Sequence, residues 1–171
     1  MKKFFALAIA LLLATSFAAA QAEIFPHGMP LEEMSVGGVG YGTSLARVKE
    51  IYGEPVDKEI FTGDGVRVVT WIYSEYFSVT ARTSDDDTTL EENLQVVGYS
   101  LKNNSLSTPA GLTVGMIYNE VVKLWGRGEL VQDDGRRGYF YVPASSQLPV
   151  TLTFYVDEHA KITEIQLGTD F

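Results

Sequence analysis

Cysteine is absent from the 171-residue chain. That excludes disulfides, thiol chemistry and zinc sites built on cysteine. It also excludes a lipid anchor, which needs a cysteine after an export signal. Histidine is nearly absent: only His27 and His159 occur. Two isolated imidazoles with no cysteine assemble no nucleophile–base constellation, and His159, in a turn, reads as a solvated loop residue. No serine stands in a nucleophile-elbow pattern. Basic side chains are scarce, 13 against 22 acidic ones. Nucleic acid and anionic membranes are poor partners for such a surface, because phosphate binding rests on Lys and Arg. Long apolar runs are lacking too, apart from Phe4 to Phe17, which is shorter than the roughly 20 residues a spanning helix needs.

That one run is informative. Met1-Lys2-Lys3 precedes it and small residues follow, the pattern of a secretory signal over residues 1–22. Cleavage is expected after Ala20 or Ala22, the second being favoured. Without Lys2 and Lys3 the 13 basic side chains fall to 11 against 22 acidic ones, a net charge of −11. The expectation is a periplasmic or secreted protein with no membrane insertion after cleavage and no lipid anchor. Residues 23–37, with Pro26, Gly28 and Pro30, read as an extended or poorly ordered leader.

Two stretches then organise the chain. Gly42 to Pro55 reads as a short helix with Leu45, Val48 and Ile51 or Tyr52 on one stripe. Thr43 or Ser44 can cap it, and Gly53 can end it. Gly115 to Gly126 reads alike, with Tyr118, Val121, Leu124 and Trp125. Gly42 and Gly115 stand 73 positions apart, as do Gly53 and Gly126. The spacing predicts an internal duplication: residues 38–104 and 105–171, each a short helix followed by about four antiparallel strands. The expected fold class is α+β, a curved sheet with the helices on one face.

Strands are expected over 58–62, 66–73, 77–82 and 94–101, then over 128–132, 138–142, 150–156 and 161–167. Gly63-Asp64-Gly65 and Asp133-Asp134-Gly135 read as hairpin turns. The run Val36 to Gly42 invites a phosphate-loop reading, but it lacks the Gly-Lys-Ser/Thr ending and the third glycine of a dinucleotide fingerprint. A tight entry to the helix is the better reading.

The pattern Gly42-x-Ser44-x3-Val48-x2-Ile51-Tyr52-Gly53-x-Pro55, followed by Trp71-x-Tyr73, resembles the small protein A/OmlA domain, whose family includes the outer-membrane-assembly accessory lipoprotein. Phe154-x2-Asp157-x3-Lys161-Ile162-x2-Ile165 resembles the closing hairpin of that family. Two such units in tandem resemble the β-lactamase inhibitor protein fold. This chain departs from both by lacking the lipid-bearing cysteine and the disulfides. The resemblance implies a non-enzymatic binding module of the cell envelope, without implying β-lactamase as its partner; an envelope or secreted protein partner and no cofactor are expected.

Candidate site residues follow. Phe77/Val79/Ala81 and Leu152/Phe154/Val156 form the expected core face, so Ser78, Thr80, Arg82, Thr153 and Tyr155 face away. Tyr and Trp dominate interface hot spots, so partner contact is assigned to Arg82 and Tyr155, with Trp71, Tyr73 and Tyr141 as further candidates. The face of Trp71 and Tyr73 stays open. Asp85, Asp86 and Asp87, with Glu91 and Glu92, could hold calcium through oxygen ligands, but the EF-hand spacing is missing and a charge run is more often a solvated loop. A small-ligand protein using loop 83–93 and an envelope enzyme with an acidic site are the alternatives. Paired glycosidase carboxylates find no support beyond the abundance of acids.

Overall fold

A computed structural model describes residues 28–144 and 148–169. The expected signal segment, His27 and the first part of the expected leader lie outside the described residues. Among the described residues ten strands and two α-helices follow one another. They are β1 (Ser35–Val36), β2 (Val39–Gly40), α1 (Leu45–Tyr52), β3 (Asp57–Gly63), β4 (Val66–Ser74), β5 (Phe77–Ser84) and β6 (Val96–Leu101). Then come α2 (Asn119–Trp125), β7 (Glu129–Asp133), β8 (Arg136–Tyr141), β9 (Thr151–Val156) and β10 (Ile162–Gly168).

Turn chemistry explains the hairpins. β3–β4 and β7–β8 each close through Asp–Gly, with φ of 53° and 78° at Asp64 and Gly65 and 47° and 77° at Asp134 and Gly135. Two successive positive φ values match the right-handed twist of the paired strands. Gly37 and Gly38 do the same between β1 and β2. The glycine run before α1 is therefore a hairpin turn, not an anion cradle.

β3 to β10 form one antiparallel sheet in the order β3-β4-β5-β6-β10-β9-β8-β7. This corrects the expected fold class. Two tandem units, each a helix with its own four strands, are not what forms. One continuous eight-stranded sheet forms instead, closed in the middle by β6 against β10 through Leu101↔Ile165 and Tyr99↔Leu167. Nor do helices make up the covering layer. The two are eight and seven residues long, too short to cover eight strands at a rise of about 1.5 Å per residue. The cover is completed by irregular chain carrying Met29, Met34, Leu94 and Leu112 and by Val36 and Val39 of the β1–β2 hairpin, all buried.

Rows of opposed residues show how the core sits. Trp71, Val79, Tyr99, Leu167, Leu152 and Tyr141 lie side by side across six strands. Every one of them is buried. A parallel row runs Phe77, Leu101, Ile165, Phe154, Tyr139. Burial of this much apolar surface, at roughly 25 cal/mol per Å2, is the main stabilising force on the fold.

The helices add Leu45, Val48 and Val121 to the core. Ile51 and Leu124, expected on the buried stripes, are exposed. The reason is the helical period: seven residues make nearly two whole turns, so Tyr52 lies above Leu45 and Trp125 above Tyr118, while Ile51 and Leu124 fall to the side. α2 also starts later than expected. Ile117 bridges to Lys161 and the Tyr118 amide donates to Ala160 O, which keeps residues 115–118 out of the helix. From Gly28 onward the leader is tied to the sheet. The Met29 amide donates to Val142 O at 2.9 Å, and its carbonyl accepts from the Ala144 amide at 2.9 Å. A Cβ on Gly28 would sit 2.2 Å from Ala144 Cα, so only glycine fits there.

Candidate interaction surface

The row next to the core row points to the other face. It runs Asp57, Ile72, Ser78, Ser100, Gln166, Thr153, Phe140, Glu129 across all eight strands. Alternation alone separates the two rows, one residue apart along each of the six strands they share. The middle of the polar row is small and hydrogen-bonding. Thr70 and Thr80 extend it, their hydroxyls 3.2 Å apart. A shallow depression of about 220 Å3 lies here, lined in part by Ser78, Thr80, Ser100 and Gln166.

One end of this face carries charge. Arg136 follows the Asp134–Gly135 turn and stands opposite Asp133. Its guanidinium donates to Asp133 Oδ2 at 2.7 Å and to Glu164 Oε2 at 2.8 Å. Ser100 Oγ donates to the other Glu164 oxygen at 2.7 Å. The Arg136 guanidinium also lies 4.1 Å above the Tyr155 ring centre. Glu164 is 8% exposed, and its charge is held by the arginine and the hydroxyl. Gly138 stands opposite Tyr155 and leaves room for the ring; a Cβ there would come within 3.1 Å of it.

The sequence-derived candidates separate cleanly on this geometry. Arg82 and Tyr155 lie on the open face, with Arg82 opposite Val68 and half-buried. Tyr155 does not present its ring to solvent: it is 6% exposed, under Arg136. Burial pushes its phenol up, against the pull of Arg136. Trp71 belongs to the core face and is 1% exposed. Its Nε1 donates to Glu91 Oε1 at 2.6 Å, and Lys58 Nζ sits 4.6 Å over the ring. Tyr73 lies on the core face with Tyr52 and Phe77 and donates to Gly53 O at 3.3 Å. Burial, helped by the Glu54 charge, pushes its phenol up to about 12. Tyr141 is fully buried; its hydroxyl lies 2.8 Å from that of Tyr118 and donates to Gly126 O at 2.8 Å. Exposed contact by Trp71 and Tyr141 is therefore corrected: the ladder turns both into the core.

The acidic loop is tied down. Thr83 donates to Asp87 and Ser84 to Asp86. The Asp87 carboxyl is held down at about 2 by hydrogen bonds from Thr83 and Thr89. Glu91 accepts from Lys58 Nζ at 2.8 Å as well as from Trp71. Burial works to raise the Glu91 carboxyl, but these two donors outweigh it and hold it below its usual range. Among the described residues no group of three or more His, Asp or Glu side chains is placed to hold a metal ion. His159 is exposed, 3.5 Å from Glu158. Sequence reasoning missed Arg136 and Glu164, and it named Glu91 only as a loop acid near a candidate calcium site, not as the partner of Trp71 and Lys58. The Asp–Gly turn before Arg136 pointed to the first; nothing local pointed to Glu164 or to the role of Glu91, whose partners come from distant strands.

No family model matches the sequence, and no curated protein matches it. Solved structures do align. A cysteine-rich secretory protein of Staphylococcus aureus subsp. aureus Mu50 aligns with a TM-score of 0.49 and 13% identity over 85% of this chain and 48% of its own. The chain thus spans about half the length of that neighbour. A DUF4309 family protein of Bacillus subtilis subsp. subtilis str. 168 aligns at 0.44 and 12% identity, over 84% of this chain and 88% of its own. A candidate β-lactamase inhibitor protein of Streptococcus mutans aligns at 0.31 and 15% identity, over 73% and 82%. Among the described residues no helix is long and apolar enough to cross a membrane.

Proposed function

We propose that this chain is an exported, non-enzymatic protein-binding module of the cell envelope, periplasmic or secreted, that binds its partner on the open sheet face. The observation that carries the reading is the eight-strand polar row from Asp57 to Glu129, with its small hydroxyls and one amide at the centre. Such a face offers many hydrogen-bonding groups at low side-chain entropy. Ile72 and Phe140, both half-buried, supply apolar contact toward its two ends. The charged group on this face, Arg136 with Asp133 and Glu164, is spent on mutual pairing, which suits a rigid recognition surface better than proton transfer.

The test is a cross-linked pull-down from the native envelope with wild type, Gln166→Arg, Arg82→Ala and the control Glu120→Lys on α2. A specific co-purifying protein lost with Gln166→Arg, weakened with Arg82→Ala and kept with Glu120→Lys is the expected result. Identical partner sets in all samples would remove the open face as the binding surface.

A further inference from the structure

Edge strands expose unpaired N–H and C=O groups, and natural sheets guard them with prolines, bulges, short length or outward lysines. The edge strand β7 is short, five residues, with Leu130 as its one exposed large apolar side chain. The opposite edge, β3, has none of these guards. It is seven residues long without proline and pairs with β4 residue for residue, without a bulge. Ile60 and Phe61 are 54% and 58% exposed, one on each face of the strand. Its single lysine, with its side chain 41% exposed, is not an outward guard, because the Lys58 ammonium is paired with Glu91 and lies over the Trp71 ring. The other exposed charges are acidic: Asp57 and Glu59 on the strand and Asp64 in the adjoining turn.

We propose that β3 is a docking edge for an extended segment of a partner protein with alternating apolar and basic side chains, added to the sheet as a further strand. Main-chain hydrogen bonds to β3 supply affinity, as in other strand-addition complexes. Side chains of an added strand alternate between faces. Its basic ones fall on the open face beside Asp57, Glu59 and Phe61, where a lysine stem packs on the ring, and its apolar ones fall on the core face beside Ile60. A second copy of the chain fits less well. It would bring the same three acids up to their equivalents, and the whole chain carries a net charge of −9. The inference does not rest on the open-face reading; the two surfaces respond to different variants.

The experiment uses a capped peptide of roughly eight alternating lysine and valine residues, an ordinary strand length. Binding is followed by fluorescence anisotropy, and its location by hydrogen exchange on the full chain. The expected result is salt-weakened binding with slowed exchange in β3 and none in β7. Phe61→Lys and Glu59→Lys should each weaken binding about tenfold, the scale of a hot-spot contact, while Gln132→Lys, exposed on the core side of the other edge, keeps wild-type affinity. Glu59→Lys should also shift preference toward a glutamate–valine peptide. Absence of binding, protection outside β3, or equal losses from Glu59→Lys and Gln132→Lys would overturn the proposal. So would self-association of the chain that Phe61→Lys abolishes, which assigns the edge to a second copy. The exchange result on the wild-type chain decides even where a variant folds poorly.

Discussion

Trp71 and Tyr155 are both withdrawn from water, at 1% and 6% exposure, yet they sit on opposite faces of the same sheet. Trp71 is buried by the core, its one polar atom satisfied by Glu91. Tyr155 is buried on the face away from the core, beneath a single arginine that two carboxylates hold in place. The first burial is collective and survives small changes around it. The second depends on one long side chain whose guanidinium is otherwise free to move into water. Low exposure of a strand aromatic therefore does not identify its face; the register does.

The largest expected difference between the faces is in stability. Phe154→Ala in the core row should destabilise the fold by about 3–5 kcal/mol, the usual range for truncating a buried aromatic. Gln166→Ala in the adjacent polar row should change it by less than about 0.5 kcal/mol. Chemical denaturation of both variants measures the gap, and comparable losses would mean that the polar row is packed against something.

Next comes the support of the two aromatics. Glu91→Ala leaves the buried Trp71 Nε1 without its acceptor and should cost about 1–3 kcal/mol. The same change frees the acidic segment, so exchange should quicken around residues 85–93. Arg136→Ala leaves the nearly buried Glu164 without its cation and should cost a comparable amount, about 1–3 kcal/mol, and should raise the reactivity of Tyr155 toward a solvent tyrosine probe. An unchanged Tyr155 reactivity would show that its burial has another cause.

A smaller effect is set by pH. The Tyr73 phenol is raised to about 12 in the folded chain, from an ordinary value near 10. A raised folded value means that its contribution is complete below the unfolded value and is lost as pH climbs through the folded one. Stability should therefore fall between about pH 10 and 12, and Tyr73→Phe should flatten that slope. An equal slope in the two proteins would assign the loss to other buried phenols such as Tyr99 and Tyr141, which burial also pushes up. The last effect is local: Ser44 Oγ accepts from the Arg47 amide, so Ser44→Ala should cost about 1 kcal/mol in thermal unfolding.

Much of this protein was legible from local pattern. The eight main strands lie within about two residues of their expected positions, and the Asp–Gly turns and helix-ending Gly53 and Gly126 stand where the residue types place them. These features depend on neighbours a few residues apart: a positive φ that glycine tolerates, a period of two in Leu152/Phe154/Val156. The assembly was not legible. Equal spacing of two glycine-bounded helices pointed to two tandem units, each a helix followed by about four strands, whereas β6 and β10 zip the chain into one sheet through pairs such as Leu101↔Ile165.

By itself, then, the sequence determined where strands begin and turn, which chemistries its missing cysteines exclude, and that Tyr155 and Arg82 share a face. Only the tertiary structure decided that Trp71 and Tyr141 belong to the core, that Arg136 covers Tyr155, and that β3 is left as an unguarded edge. The reason is physical. Alternation along a strand is a covalent regularity, but which strand lies beside which, and so which side chain covers another, is set by pairings between residues far apart in the chain.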